Sequence, residues 1–505
     1  MNEKNNTEKK LGVIPLAALV VSAMIGGGIF SLPQNMAQSS ALLAVILAWV
    51  VTGIGMFFLA NTFRILADVK PDATTGIYAY ARLGFGRFAG FQMAWSYWLC
   101  NIFGNVGYAV LLMDAFDYFF PGKFTGGNNL LSIVCGSLVI WLMNFIVLKG
   151  VHQAAFLNVL GTIAKLVPIF LFILVMLFVF RWDCFSLDVL GHENIPAKGI
   201  RDLGSILGQL KATMLVTLWA FIGIEGAIVI SDKAKDQKSV GSATLMGFLG
   251  CLVIYALLSI LPFGRMPQHE LAALTNPSTA PLLQSVVGHW GGTVMNLGVI
   301  IALLTSWLAF TIMIAQIPYA AALDGTFPKF FRKENVNGVP NTSLVTTSVL
   351  MQLAMILVYF ANNAWNTMLS VTGVMILPPY LACTLYLWKL CFKGEYPKKA
   401  AVALPFACVC GAAGTVYALW MIYAAGLKYL LMAFIFLALG IPVFIAARKE
   451  NSCCCTSEAC GENGENKEGG EKERVFSRKE FCFMILVLLC AAAAIVSFAA
   501  GKVSL

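Results

Sequence analysis

Long apolar runs alternate with short polar stretches along the whole chain, and the runs lack the one-sided polar stripe of a helix on a soluble protein. Each run is about 20 residues or longer, the length of helix that crosses a hydrocarbon core of roughly 30 Å. The pattern predicts thirteen membrane spans, at 11–33, 41–66, 85–119, 129–148, 153–180, 207–230, 240–261, 283–321, 342–360, 366–388, 401–423, 430–446 and 481–500. Hydrophobic residues make up 59% and charged residues 12% of the 505-residue chain, a balance that sets aside an ordinary soluble domain. The first ten residues are polar and the run after them is too long for the apolar part of a signal peptide. The first span is therefore expected to stay in the protein.

Charge changes the picture by giving the spans a direction. Lys4, Lys9 and Lys10 precede span 1, Lys70, Arg82 and Arg87 follow span 2, Lys233, Lys235 and Lys238 follow span 6, and Lys329, Arg332 and Lys333 follow span 8. The alternate loops are poor in such residues or balance them with acids. Because cytoplasmic loops collect lysine and arginine, residues 1–10 are expected in the cytoplasm and the protein in the plasma (inner) membrane. The net charge of +9 is thereby topological and implies no nucleic-acid partner. After a twelve-span unit at 11–446, residues 447–480 read as a cytosolic linker rich in Cys, Gly and Glu, leading to a thirteenth helix within 481–505. Its "CCCTSEAC" run, Cys453 to Cys460, has neither histidine nor zinc-site spacing, and cytosolic thiols stay reduced.

Two spans carry residues that a continuous membrane helix does not favour. "MIGGGIFSLP" puts Gly26, Gly27 and Gly28 in succession inside span 1, and "LWAFIGIEG" puts Gly223 and Gly226 around Glu225 in span 6. Interhelical packing would space small residues four apart on one face. Consecutive glycines point instead to unwinding, which survives in lipid only where protein or ligand satisfies the freed backbone. Paired interruptions at matching places in two halves mark transporters of inverted repeats with a midplane site. The half-helix restarting near Gly28 would offer N–H groups to a carboxylate. The carbonyls of Met24, Trp219 and Ile222 would suit an ammonium, so the implied ligand is an α-amino acid. Glu225 reads either as a gate or pathway acid or as one satisfied by an interhelical hydrogen bond. Lys165, in "GTIAKLVPIF", lies too deep in span 5 to reach water easily and is a candidate coupling or structural cation.

Together with "YWLCNIFGNVGY", "AALDGTFPKFFRKENVNGVPNTS" and "LPPYLACTLYLW", these motifs resemble the amino acid/polyamine/organocation transporter superfamily up to about residue 446. Within it the chain looks most like arginine/ornithine antiporters of the basic amino acid/polyamine branch. The resemblance implies an all-α membrane protein with a five-plus-five inverted-repeat core of the leucine-transporter type, the repeats running roughly over 11–180 and 207–388. Spans 1 and 6 would be the broken helices. By motif position it implies that Gly27 and Gly28 hold the substrate carboxylate, that Met24, Trp219 and Ile222 face its ammonium, and that Asn105, Phe310 and Thr372 line its side chain. Tyr97, Trp219, Glu225 and Tyr380 would be gates, and Lys165 would brace spans 1 and 8 where sodium-dependent relatives hold an ion.

The sequence departs from that pattern at Gly27, often serine in the superfamily, at Phe310, where arginine/agmatine exchangers stack a tryptophan, and at Tyr108, where they carry methionine. Asn105, Thr372 and the tyrosines each also admit a packing role. The expectation is electroneutral exchange of arginine for ornithine by alternating access. Lysine/cadaverine or histidine/histamine exchange, a proton-coupled lysine permease and, from another class, a membrane amino acid sensor are the competing readings. The partners implied are a cationic amino acid, its counter-substrate and the bilayer. No enzyme activity, cofactor or metal is implied, and either a monomer or a homodimer is compatible with the resemblance.

Overall fold

The computed structural model describes residues 12–71, 73, 76–150, 154–195, 199–225, 237–457 and 475–501. The expected cytoplasmic N-terminus at 1–10, Gly226, the lysine cluster Lys233 and Lys235, and linker residues 458–474 lie outside them. In chain order the main helices are α1 (Val13–Met24), α2 (Leu32–Ala37), α3 (Leu42–Val69), α4 (Ile77–Phe85), α5 (Arg87–Asp117), α6 (Leu130–Leu148) and α7 (Ala154–Phe178). There follow α8 (Ile206–Ala220), α9 (Gln237–Ile260), α10 (His289–Leu323), α11 (Asn341–Val358), α12 (Ala364–Phe392), α13 (Leu404–Leu439), α14 (Ile441–Ser457) and α15 (Arg478–Ala499). An antiparallel ribbon pairs His192–Ile195 with Gly199–Asp202 in the loop after α7.

Among the described residues ten helices are long and apolar enough to cross a membrane. The difference from thirteen has a physical cause in each case. Span 1 is split into α1 and α2 by the glycine run, and span 6 appears as the 15-residue α8, which stops at its break. Spans 11 and 12 form one 48-residue helical run, Leu404–Asn451, whose continuity is interrupted at Gly426, with φ 79° and ψ 160°. Only glycine adopts that conformation without strain. Span 12 was expected to end at 446, yet α14 carries on as helix to Ser457 and takes the start of the expected linker with it.

The contacts divide the chain into two units, each assembled from three stretches. The first comprises Met1–Gly76, Val159–Leu303 and Leu387–Leu419. Within it buried polar bonds pin the helices together. Gln209, on α8, accepts from the Ala41 N–H at 2.9 Å, while its carbonyl takes the Ser40 hydroxyl at 2.7 Å, so one glutamine joins the starts of α3 and α8. Two turns on, the hydroxyls of Thr52 and Thr217 meet at 2.6 Å. Apolar packing accompanies these bonds, with glycines at close approaches: a Cβ on Gly55 would stand 2.1 Å from the Tyr417 ring.

The second unit comprises Ile77–Asn158, Leu304–Tyr386 and Trp420–Leu505. Its aromatic core gathers on Phe88, whose ring lies 5.1, 5.5 and 5.4 Å from those of Phe444, Phe476 and Phe483. The thirteenth helix is tied in by a double cap. Ser477 and Glu480 form a capping box at the start of α15, and the same Glu480 carboxylate accepts the Phe88 N–H of α5 at 2.9 Å. Gly86, the residue capping α5, has φ +100°, and a Cβ there would lie 3.2 Å from Glu480 Oε1. Because one carboxylate satisfies the orphan donors of two helices, Glu480→Ala is expected to lower stability by about 1–2 kcal/mol, and Glu480→Gln by less. Thermal unfolding of the purified chain in detergent checks both.

Candidate functional site

The interruption of span 1 begins where α1 ends at Met24. Ile25 (φ −77°, ψ 90°) and Gly26 (φ −88°, ψ −177°) are extended, a tight 3-10 turn covers Gly27–Ser31, and α2 follows. The unwinding expected from the sequence is therefore present, but it does not use the left-handed freedom of glycine. At Gly27 the need is for close approach: a Cβ would fall 2.1 Å from Leu303 Cδ2. That direction is filled by α10, so the small side chain serves packing as well as whatever its N–H faces. Gly27 and Gly28 are both buried.

The Met24 carbonyl, expected to await an ammonium, already accepts two donors. Tyr255 of α9 donates its hydroxyl at 2.9 Å and Gly26 its N–H at 3.0 Å. A carbonyl oxygen has two lone pairs, so Met24 is stabilising the break. The Val21 carbonyl likewise takes Ile25 N–H at 2.8 Å, and the other two carbonyls of that last turn belong to Ser22 and Ala23. Tyr255 was missed in the sequence, although a hydroxyl inside the apolar run "CLVIYALLSI" is the kind of buried polar group that must find a partner.

Span 6 is interrupted directly after Trp219 and Ala220. Phe221 is fully buried and sets its ring 5.3 Å from both Phe248 and Tyr255, anchoring the chain where the helix stops. Gly223 has φ +107°, so here glycine is needed for the backbone itself. The Glu225 carboxylate turns back on the break and accepts the Gly223 N–H at 3.1 Å. It is 4% exposed. This bond lies within the break, two residues away, rather than reaching another helix. Trp219 is buried, and its carbonyl accepts Ile222 N–H at 3.1 Å. Lys165 is 4% exposed on α7. Beside it α7 packs on α10, since a Cβ on Gly298 would lie 2.4 Å from Pro168 Cγ and 3.4 Å from the Ala164 carbonyl.

In the second unit Tyr97, Asn101, Asn105 and Tyr108 follow one another at helical spacing along one face of α5. Asn101 Nδ2 bonds its own helix at the Tyr97 carbonyl, 2.7 Å away. Asn105 does not: it is 1% exposed, and both its amide nitrogen and its oxygen lack a hydrogen-bond partner. Thr372 of α12 is 3% exposed with an unpartnered hydroxyl, and it sits against Gly104, whose Cβ would be 3.5 Å from Thr372 Cγ2. Tyr108 meets Phe310 of α10 edge to face at 5.8 Å. One turn back along α10, Ser306 Oγ and Trp307 Nε1 are also buried without partners. Tyr380 is 1% exposed on α12.

Buried polar atoms are almost always paired, and each one left alone costs about 1–3 kcal/mol. Asn105 and Thr372 carry buried polar atoms that no group among the described residues satisfies. The unit brings together Asn105, Thr372, Tyr108 and Phe310. Ser306 and Trp307 join them as polar groups that resemblance by motif position did not assign.

The amino acid permease family profile matches residues 11–453. The chain belongs to the amino acid permease family. Among relatives, a protein of Clostridium perfringens named as an amino-acid transporter is 56% identical over 448 residues, covering 88% of this chain and 93% of that one. The arginine/agmatine antiporter of Chlamydia pneumoniae is 53% identical over 505 residues, covering 100% of both chains. That of Chlamydia trachomatis serovar L2 is 50% identical over 504 residues, covering 100% of this chain and 99% of its own. The permease is thus a multi-pass membrane transporter rather than an enzyme, with the helical fold the motifs implied.

Gly27 provides a test of what its missing side chain is for. Gly27→Ala is expected to abolish most transport, and Leu303→Ala in the same chain to restore a measurable part by vacating the space. Uptake by the two variants, normalised to protein in the membrane, checks this.

Proposed function

We propose that this permease exchanges arginine for a related organic cation across the plasma membrane, with agmatine as the counter-substrate. The observation that carries the reading within the structure is Asn105: a buried, fully unpartnered amide can offer its oxygen to a guanidinium. Arginine and agmatine share that group, and the antiporters 50–53% identical over the full chain are named for this pair. Ornithine, the counter-substrate expected from the sequence, has an ammonium in place of the guanidinium, so agmatine replaces it.

In this reading Gly27 and Gly28 give backbone N–H groups to the arginine carboxylate, which agmatine lacks. Carbonyls of the two breaks, with Trp219 and Ile222 in span 6, face the ammonium. Met24 contributes by holding the break open rather than as a free acceptor. Thr372 and the Tyr108–Phe310 pair complete the side-chain environment. Phenylalanine is a weaker cation–π partner than tryptophan, so Asn105 carries more of the guanidinium recognition. Tyr97, Trp219, Glu225 and Tyr380 are proposed as gates of an alternating-access cycle, and Lys165 as the fixed cation bracing spans 1 and 8. The N-terminus is cytoplasmic in this scheme.

The pair decides the electrical behaviour. Arginine carries one positive charge and agmatine two, so each turnover with agmatine inside moves one net charge outward. A membrane potential does work of about 2.3 kcal/mol per charge per 100 mV on that step. In proteoliposomes preloaded with agmatine, uptake of labelled arginine is expected to slow when the interior is made negative and to quicken when it is made positive. Equal uptake at all potentials with ornithine inside, and none with agmatine, would restore the arginine/ornithine assignment. Uptake into empty vesicles driven by a proton gradient would make the protein a coupled permease and shift attention to Lys165. Asn105→Ala is expected to raise the KM for arginine about tenfold or more, the loss of one hydrogen bond to a charged group, measured in the same vesicles.

A further inference from the structure

Two adjacent prolines, Pro378 and Pro379, lie in the interior of α12, and the helix runs through them from Ala364 to Phe392. A proline has no N–H to give to the carbonyl four residues earlier. Pro378 therefore leaves Val374, and Pro379 leaves Met375, without that intrahelical donor. Inside a membrane no water replaces it, so a neighbouring side chain must. The motif "LPPYLACTLYLW" shows the proline pair but not the group that compensates for it.

At Met375 that group is Ser96. Its hydroxyl, fully buried on α5, donates to the Met375 carbonyl at 2.6 Å across 279 residues of sequence. The stretches of α12 on either side of this bond rest on different helices. Before the prolines α12 lies along α5: a Cβ on Gly104 would be 3.5 Å from Thr372 Cγ2, and one on Gly107 would be 3.4 Å from Met368 Cβ. Beyond them it lies on α4, where the Cys383 thiol donates to the Ile77 carbonyl at 3.3 Å and the Tyr386 ring stacks on that of Tyr80 at 6.5 Å. Thr372 belongs to the first stretch and Tyr380 to the second, with the Ser96 bond between them.

We propose that Ser96 is a positioning residue of the transport cycle: its hydroxyl replaces the N–H that Pro379 removes and thereby fixes where Thr372 stands relative to Tyr380. The proposal rests on the assignment above of Thr372 to the substrate side chain and of Tyr380 to a gate. Ser96 acts on both through the backbone of α12. With two intrahelical bonds missing at that turn, the helix has less of its own to hold its shape, and the Ser96 bond supplies part of what is lost.

The missing N–H can be put back, and this provides the test. Arginine uptake into proteoliposomes is compared for wild type, Ser96→Ala, Pro379→Ala and Ser96→Ala/Pro379→Ala. Ser96→Ala is expected to raise the KM for arginine about fivefold, the loss of one hydrogen bond. In the Pro379→Ala background the same substitution is expected to change it less than about twofold, because the Met375 carbonyl has regained a backbone donor while Pro378 is kept. A mere loss of packing at Ser96 would be equal in both backgrounds. An unchanged KM in Ser96→Ala, or equal effects in the two backgrounds, overturns the proposal. Hydrogen exchange of the purified chains in detergent reads the same bond without substrate: amides in the turn that begins at Tyr380 are expected to exchange about fivefold faster in Ser96→Ala, and at equal rates in the two Pro379→Ala chains. Absence of arginine uptake by the wild type would count against the proposed substrate, and exchange then decides on Ser96, whose role is overturned by equal rates in wild type and Ser96→Ala.

Discussion

A helix interrupted in the interior of a membrane must satisfy its own broken ends, and the first unit is organised around that requirement. Water is absent there, so each exposed N–H or C=O left alone costs several kcal/mol. At the end of α1 the Tyr255 hydroxyl and Gly26 N–H share the Met24 carbonyl, and at the end of α8 the Glu225 carboxylate takes the Gly223 N–H. These contacts use groups from the break itself or from α9. The Phe221 cluster then keeps the unwound segment from moving as a loose loop.

Both units leave some buried polar atoms unpartnered, in the first among others at Ser31, Trp49 and Thr279, and in the second at Asn105, Thr372, Ser306 and Trp307, while neighbours of the latter a turn away, such as Asn101 and Thr311, are satisfied by their own helices. Each such atom carries the cost of a hydrogen bond left unmade. In the second unit α15 is attached by Glu480 and the Phe88 cluster rather than by membrane packing alone. The appended helix thereby becomes part of the same unit as α5.

The two glycine-bearing motifs had different causes that their letters did not distinguish. Gly223 is required by its backbone, at φ +107°, whereas Gly27 is required by the 2.1 Å approach that a Cβ would make to Leu303. Met24 illustrates the same limit. Its carbonyl was legible as belonging to a helix end, yet its partner, Tyr255, lies 231 residues away in sequence. Asn105 and Thr372 were reached through the resemblance, and Ser306 was not reached at all. A buried serine on an apolar helix looks like any other until its surroundings show that nothing answers its hydroxyl.

The sequence by itself determined the membrane class, the succession of spans and the positions of the two breaks, because hydrophobic length and glycine runs are local properties of the chain. It also specified the amino acid permease family through motifs in order. Only the tertiary structure decided which polar groups are satisfied, that Met24 is occupied and Asn105 is not, and that the Ser96 hydroxyl meets the carbonyl that Pro379 leaves without a donor. Those outcomes depend on which side chains meet across helices. That pairing is set by packing over the whole unit, and no stretch of sequence contains it.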